Sequence, residues 1–129
     1  MIKLTLILAL LWTSYSSQIK LTDYIDTTAP LTLTINTVDE KTGLTTMKQS
    51  EILPTSDKYK MFIDWCNKND NGWSSSPASF NSKVSLTQNN FRFLLLTNGV
   101  AIGITDKEGK PKQFNKTSDI ADLAFLTKE

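Results

Sequence analysis

The sequence contains no histidine and a single cysteine, Cys66. Without histidine there is no Ser-His or Cys-His nucleophile pair and no imidazole-bearing zinc site. With one cysteine there is no disulfide within the chain and no all-thiolate metal site. Glycine and proline are scarce, at 5 and 4, which excludes collagen-like and low-complexity classes. Arginine occurs once, as Arg92, and no basic cluster appears, so the phosphate contacts that dominate nucleic-acid affinity have no source. Glycine-rich phosphate loops are absent as well. What is present is 129 residues, 14.5 kDa, 40% apolar side chains and a formal net charge of +1. That composition predicts one ordinary globular domain.

The first segment is the most informative about destination. Lys3 precedes the run Leu4 to Trp12, in which only Thr5 is polar, and Ser14 and Ser16 place small residues at −3 and −1 of a cleavage site before Ser17. This order of charge, apolar run and small-residue site predicts a signal peptide over residues 1–16, and a domain over 17–129 that is secreted or periplasmic. A buried strand is the alternative for the same run. The run is far shorter than the roughly 20 residues a membrane-spanning helix needs, and no cysteine stands near the cut to carry a lipid. A soluble exported form is therefore expected, with no stable membrane anchor. Beyond Ser16 the acidic and basic side chains balance.

Periodicity then predicts an α+β fold. Residues 19–30 read as an extended lead-in. Leu31 to Val38 alternates apolar residues with threonine, as a half-buried strand does, and the loop Asp39 to Gly43 returns the chain through about Gln49, giving a hairpin 31–49. Ser56 is positioned to cap a helix 57–68 whose residues Tyr59, Phe62, Ile63 and Cys66 form an apolar stripe, with Met61 and Trp65 widening one edge. Asn69 to Gly72 ends it. Between Phe91 to Thr97 and Val100 to Thr105, the pair Asn98-Gly99 predicts a type I′ hairpin that sets Thr97 opposite Val100 and Phe93 opposite Ile104. Val84 and Leu86 join the same large-residue face, and Lys112 to Asn115 is expected as a short edge strand, completing a meander 83–115. Thr117 or Ser118 would cap a short C-terminal helix, 118–126, with Ile120, Leu123 and Ala124 inward and Phe125 beside them. The expected architecture is an antiparallel sheet with the main helix packed on it.

Few residues invite a chemical role. Asn67, Asn69, Asn71 and Gly72 match the spacing of a calcium loop, but Ala78 stands where a bidentate Glu is required, so a polar helix terminus is expected. Cys66 on the apolar stripe reads as a buried thiol, with an intermolecular disulfide as the alternative. Asn115-Lys116-Thr117 is a glycosylation triplet. The carboxylates fall mostly at turns, caps and the polar helix face. No catalytic, cofactor-binding or metal-ligating residue is predicted. The second hairpin face, with Leu94, Leu96, Ala101 and Gly103, needs a cover or a partner, and so does the rim of Met61 and Trp65. The expected function is a non-enzymatic exported domain that binds a protein or envelope component through Met61, Trp65, Trp73, Leu94 and Leu96. Two alternatives stand beside it: a carbohydrate-binding module using Trp65 and Trp73, and a histidine-free hydrolase working through carboxylates.

Overall fold

The computed structural model describes residues 17–76 and 80–128, so the expected export segment lies outside the described residues. The chain is a mixed α+β fold. Seven antiparallel strands, β1 (Leu31–Val38), β2 (Thr45–Ile52), β3 (Ser74–Ser75), β4 (Val84–Gln88), β5 (Phe91–Leu95), β6 (Gly99–Thr105) and β7 (Pro111–Thr117), form one sheet in the order β2-β1-β4-β5-β6-β7-β3. One helix, α1 (Asp57–Lys68), crosses its large-residue face, and a 3-10 helix (Ile120–Leu126) closes the chain.

The helix has the bounds its pattern predicts. Ser56 Oγ accepts the Tyr59 N–H at 3.2 Å, Asp57 stands in the first turn and Lys68 in the last, each where the helix dipole favours its charge. Its buried residues are Tyr59, Phe62, Trp65 and Cys66. Phe62 meets Phe93 edge-on at 5.0 Å between ring centres, and Trp65 meets the same ring at 5.4 Å, so β5 is the floor on which the helix rests. At the other end of the stripe the Tyr59 hydroxyl donates to the carbonyls of Asp26 and Ala29 at 3.0 and 2.9 Å, tying the lead-in to the helix.

Five expectations change. The β5–β6 hairpin sets Leu95 opposite Val100 and Phe93 opposite Ile102, two residues away from the expected register. The Leu96 N–H donates to the Gly99 carbonyl at 2.8 Å, which makes Thr97 and Asn98 the turn residues. Gly99 does not have positive φ; a Cβ there would lie 2.2 Å from the Lys116 carbonyl oxygen, so the glycine is needed for the approach of β7. A slip of two keeps parity, and the large residues stay on the helix side.

The short edge strand expected at Lys112 to Asn115 is a seven-residue strand, and β3 pairs along its far side, Ser75 opposite Phe114. The first hairpin also runs further than residue 49, to Ile52.

The C-terminal helix begins later than expected and is a 3-10 helix. Thr117 ends β7, and Asp119 is the cap, its Oδ1 accepting from the Ala121 N–H at 3.0 Å. Three residues per turn put Ile120, Leu123 and Leu126 in one row, so Leu123 and Leu126 are buried while Ala124 is exposed. The lead-in is likewise more than an extended arm. Ile19, Leu21 and Ile25 are core residues around a 3-10 turn, Leu21–Tyr24.

The sheet is not uniformly backed. β1 pairs with β4 only from Thr32 to Ile35, while its pairing with β2 continues to Val38 opposite Thr45. Residues 37–51 are exposed throughout. The hairpin therefore leaves the body as a two-stranded arm carrying Val38, Leu44 and Met47 at 50%, 68% and 62% exposure. Among the described residues no helix is long and apolar enough to cross a membrane.

Candidate functional site

Of the five residues expected to form an interaction surface, the structure brings two together. Met61 and Trp65 line a groove of about 400 Å³ between α1 and the C-terminal 3-10 helix, with Asp64, Lys68, Asn69, Asp122 and Phe125. Met61 is half exposed, at 49%. Asp64 and Lys68, one turn apart, form an ion pair of 3.0 Å at the rim. Asp122 and Phe125 arrive from the 3-10 helix, where a spacing of three stacks them in the row next to the buried one.

Trp65 is mostly core, yet it is not fully satisfied. Its indole Nε1 is the one buried side-chain polar atom among the described residues without a hydrogen-bond partner. An unmade buried bond of this kind costs about 1–3 kcal/mol. The neighbouring Trp73 shows the contrast. It is fully buried, and its Nε1 donates to the Asn69 carbonyl at 2.7 Å, while Asn69 Nδ2 donates to the Trp65 carbonyl at 2.9 Å. Trp73 thus supports the groove from behind through Asn69 and offers no ring face to a ligand. Trp65, packed edge-on against Phe93, does not present an open platform either.

Leu94 and Leu96 lie elsewhere. Leu94 points away from the helix, opposite Ser85 and Ala101, and is 7% exposed; Leu96 is half-buried in the β5–β6 turn. The surface expected on that side of the hairpin is closed at Leu94 and Ala101, because both are buried.

A larger cavity, about 590 Å³, opens between the lead-in, the end of α1 and β6–β7, and Asp23 and Asp70 both line it. Size does not make it the better site. Its charged groups are already engaged: Lys20 pairs with Asp23 at 4.0 Å, Gln18 Nε2 donates to Asp70 at 3.0 Å, and Lys112 faces Asp106 at 3.6 Å. Cys66, at its wall, is buried, and desolvation pushes its thiol pKa up to about 12, so it stays protonated and unreactive. A disulfide to another chain would require the helix to leave the sheet.

The segment with calcium-loop spacing is a helix terminus. Asn69 is the C-cap, Gly72 turns with φ +83°, and Lys116 Nζ donates to the Asn71 carbonyl. The ammonium stands on a carbonyl that a cation would otherwise use.

Comparison of the chain with protein-family models, with curated proteins and with solved structures finds no match in any of the three.

Proposed function

We infer that this chain is a non-enzymatic binding domain, exported by residues 1–16 to the periplasm or the cell exterior, where it engages a protein or envelope component. The observation that carries this reading is the groove between α1 and the C-terminal 3-10 helix, which the half-exposed Met61 and Phe125 line as an apolar concavity. Covering an exposed apolar concavity is favourable, whereas in the larger cavity Lys20 already pairs with Asp23 and Gln18 with Asp70. Nucleic acid is not the partner, since phosphates would meet one arginine and a chain near neutrality.

Two measurements test it. The intact mass of protein recovered from outside the cytoplasm of the native host is expected to lack residues 1–16; full-length 14.5 kDa protein confined to the cytosol overturns export. A photo-crosslinking side chain at position 61 is expected to give a discrete adduct that the same group at Lys107, an exposed turn remote in sequence, does not give. Identical adducts from both positions, or none from position 61, refute the groove.

A further inference from the structure

Asparagine followed by glycine is a chemically reactive pair, and the chain has it twice, as Asn71-Gly72 and Asn98-Gly99. Glycine has no side chain to keep its main-chain nitrogen away from the preceding amide, so that nitrogen can close a five-membered ring on the asparagine Cγ. The fold treats the two pairs differently. Gly99 is buried at the start of β6, where a Cβ would lie 2.2 Å from the Lys116 carbonyl oxygen, and the Asn98 carbonyl accepts the Ser118 N–H at 3.3 Å. Ring closure there would turn the Asn98-Gly99 peptide out of its place and part β6 from β7. Gly72 is exposed beyond the end of α1, and its N–H has no hydrogen-bond partner among the described residues. The carbonyl of the same peptide unit, that of Asn71, accepts from Lys116 Nζ.

We propose that Asn71 is a site of spontaneous deamidation in the folded protein, and that Lys116 accelerates it. The reaction consumes only water. Hydroxide removes the Gly72 N–H proton, and the nitrogen forms a bond to Asn71 Cγ. The side-chain nitrogen of Asn71 takes a proton from water, regenerating hydroxide, and leaves as ammonia. Water then opens the succinimide at one or other carbonyl, giving aspartate or isoaspartate at position 71. The demanding species is the anionic peptide nitrogen, whose charge is shared with the Asn71 carbonyl oxygen. An ammonium on that oxygen stabilises the charged form and so favours loss of the proton. Lys116 thus activates the nucleophile through the other end of its peptide unit. Isoaspartate lengthens the main chain between the helix C-cap, Asn69, and Trp73, whose N–H and carbonyl pair with Ser17 at 3.2 and 2.7 Å. The modification therefore acts on the joint that fastens the lead-in to the end of α1.

The test incubates the full chain in mildly alkaline buffer, folded and in urea, and follows both pairs by peptide mass mapping. In urea the two pairs are expected to react at similar rates. In the folded protein Asn98 should fall at least about ten-fold behind Asn71, because its reaction waits for local opening of the strand. Lys116→Met should slow Asn71 about three- to five-fold in the folded protein, the worth of one exposed charge contact, and leave it unchanged in urea. Lys116→Arg keeps the cation and should restore the rate. Protection of Asn98 retained in both variants reports that β6 and β7 stay paired, so that the change at Asn71 belongs to the cation and not to the fold. Equal rates at the two sites in the folded wild type overturn the proposal. So does a folded Lys116→Met that loses Asn71 as fast as the wild type or faster.

Discussion

The body of the sheet and the β1–β2 arm share a backbone pattern and differ in what holds it. In the body, Leu86, Phe93 and Ile102 lie side by side across three strands, and each is at most 1% exposed under α1. In the arm, seven of the eight β2 residues are exposed, and only Ile52, at the end nearest the body, is buried. The sequence already contains this division. β5 and β6 are nearly continuous apolar runs, whereas β2 reads Thr-Thr-Met-Lys-Gln-Ser-Glu-Ile and has no apolar face to bury. A two-stranded ribbon without a hydrophobic backing is marginal by itself. The arm therefore persists as an extension of β1, whose first half is anchored by Leu31 and Leu33.

The largest expected break in this comparison comes from Phe93→Ala, which removes the ring on which both Phe62 and Trp65 rest. It should cost about 3–5 kcal/mol in equilibrium denaturation, while Met47→Ser at the 62% exposed arm position should stay within about 0.5 kcal/mol. Equal effects at the two sites would mean that the arm is buried in solution.

Glycines sharpen the same contrast. Gly99→Ala in the body places a methyl 2.2 Å from the Lys116 carbonyl, so β6 and β7 must separate, at about 1–3 kcal/mol. Gly43→Ala in the arm loop meets no neighbour, and its cost is only the left-handed conformation at φ +70°, about 1–2 kcal/mol. The two differ in where they act. Amide hydrogen exchange should quicken across β6 and β7 in the first variant and only around residues 39–44 in the second.

The smallest effect is electrostatic. Asp106 in the β6–β7 turn accepts the N–H groups of Lys110 and Glu108 at 2.8 and 3.0 Å and stands near Lys112, and these interactions hold its carboxyl below the usual range. Asp26 is lowered likewise by the hydroxyl and N–H of Thr28. A carboxylate lowered by folding stabilises the fold fully above its unfolded value, near pH 4, and loses that contribution as pH falls through the folded value. The difference in melting temperature between the wild type and Asp106→Asn should thus shrink below about pH 4; a difference that grows there contradicts the turn geometry.

Much of this fold was legible in the sequence where one period dominates. Helix 57–68 combines a cap, an apolar stripe and a terminator that agree, and the strands from Val84 onward keep their faces whatever the exact turn, because the side-chain period is two. The failures occur where two constraints compete. Asn98-Gly99 is a strong turn signal, but the closeness of Lys116 decides the use of Gly99. Ile19, Leu21 and Ile25 follow no single period, and their burial is set by the end of α1, through the Ile19 N–H to the Asp70 carbonyl at 2.7 Å. For the site, Met61 and Trp65 were visible as a widened stripe. Asp122 and Phe125 were not visible as neighbours of Met61 and Trp65, since nothing local says where the C-terminal helix docks on α1. The burial of Trp73 and Leu94 is tertiary, and nothing local signals it.

The lone cysteine gives the molecule a built-in clock. Cys66 is 1% exposed on the sheet-facing side of α1, and its thiol is held protonated, so a maleimide or disulfide reagent reaches it only when the helix lifts. A second cysteine introduced at Leu44 on the arm is open to the same reagent at all times. One sample would then carry a fast channel that dyes the arm and a slow one that counts openings of the core, each read by mass in the native buffer.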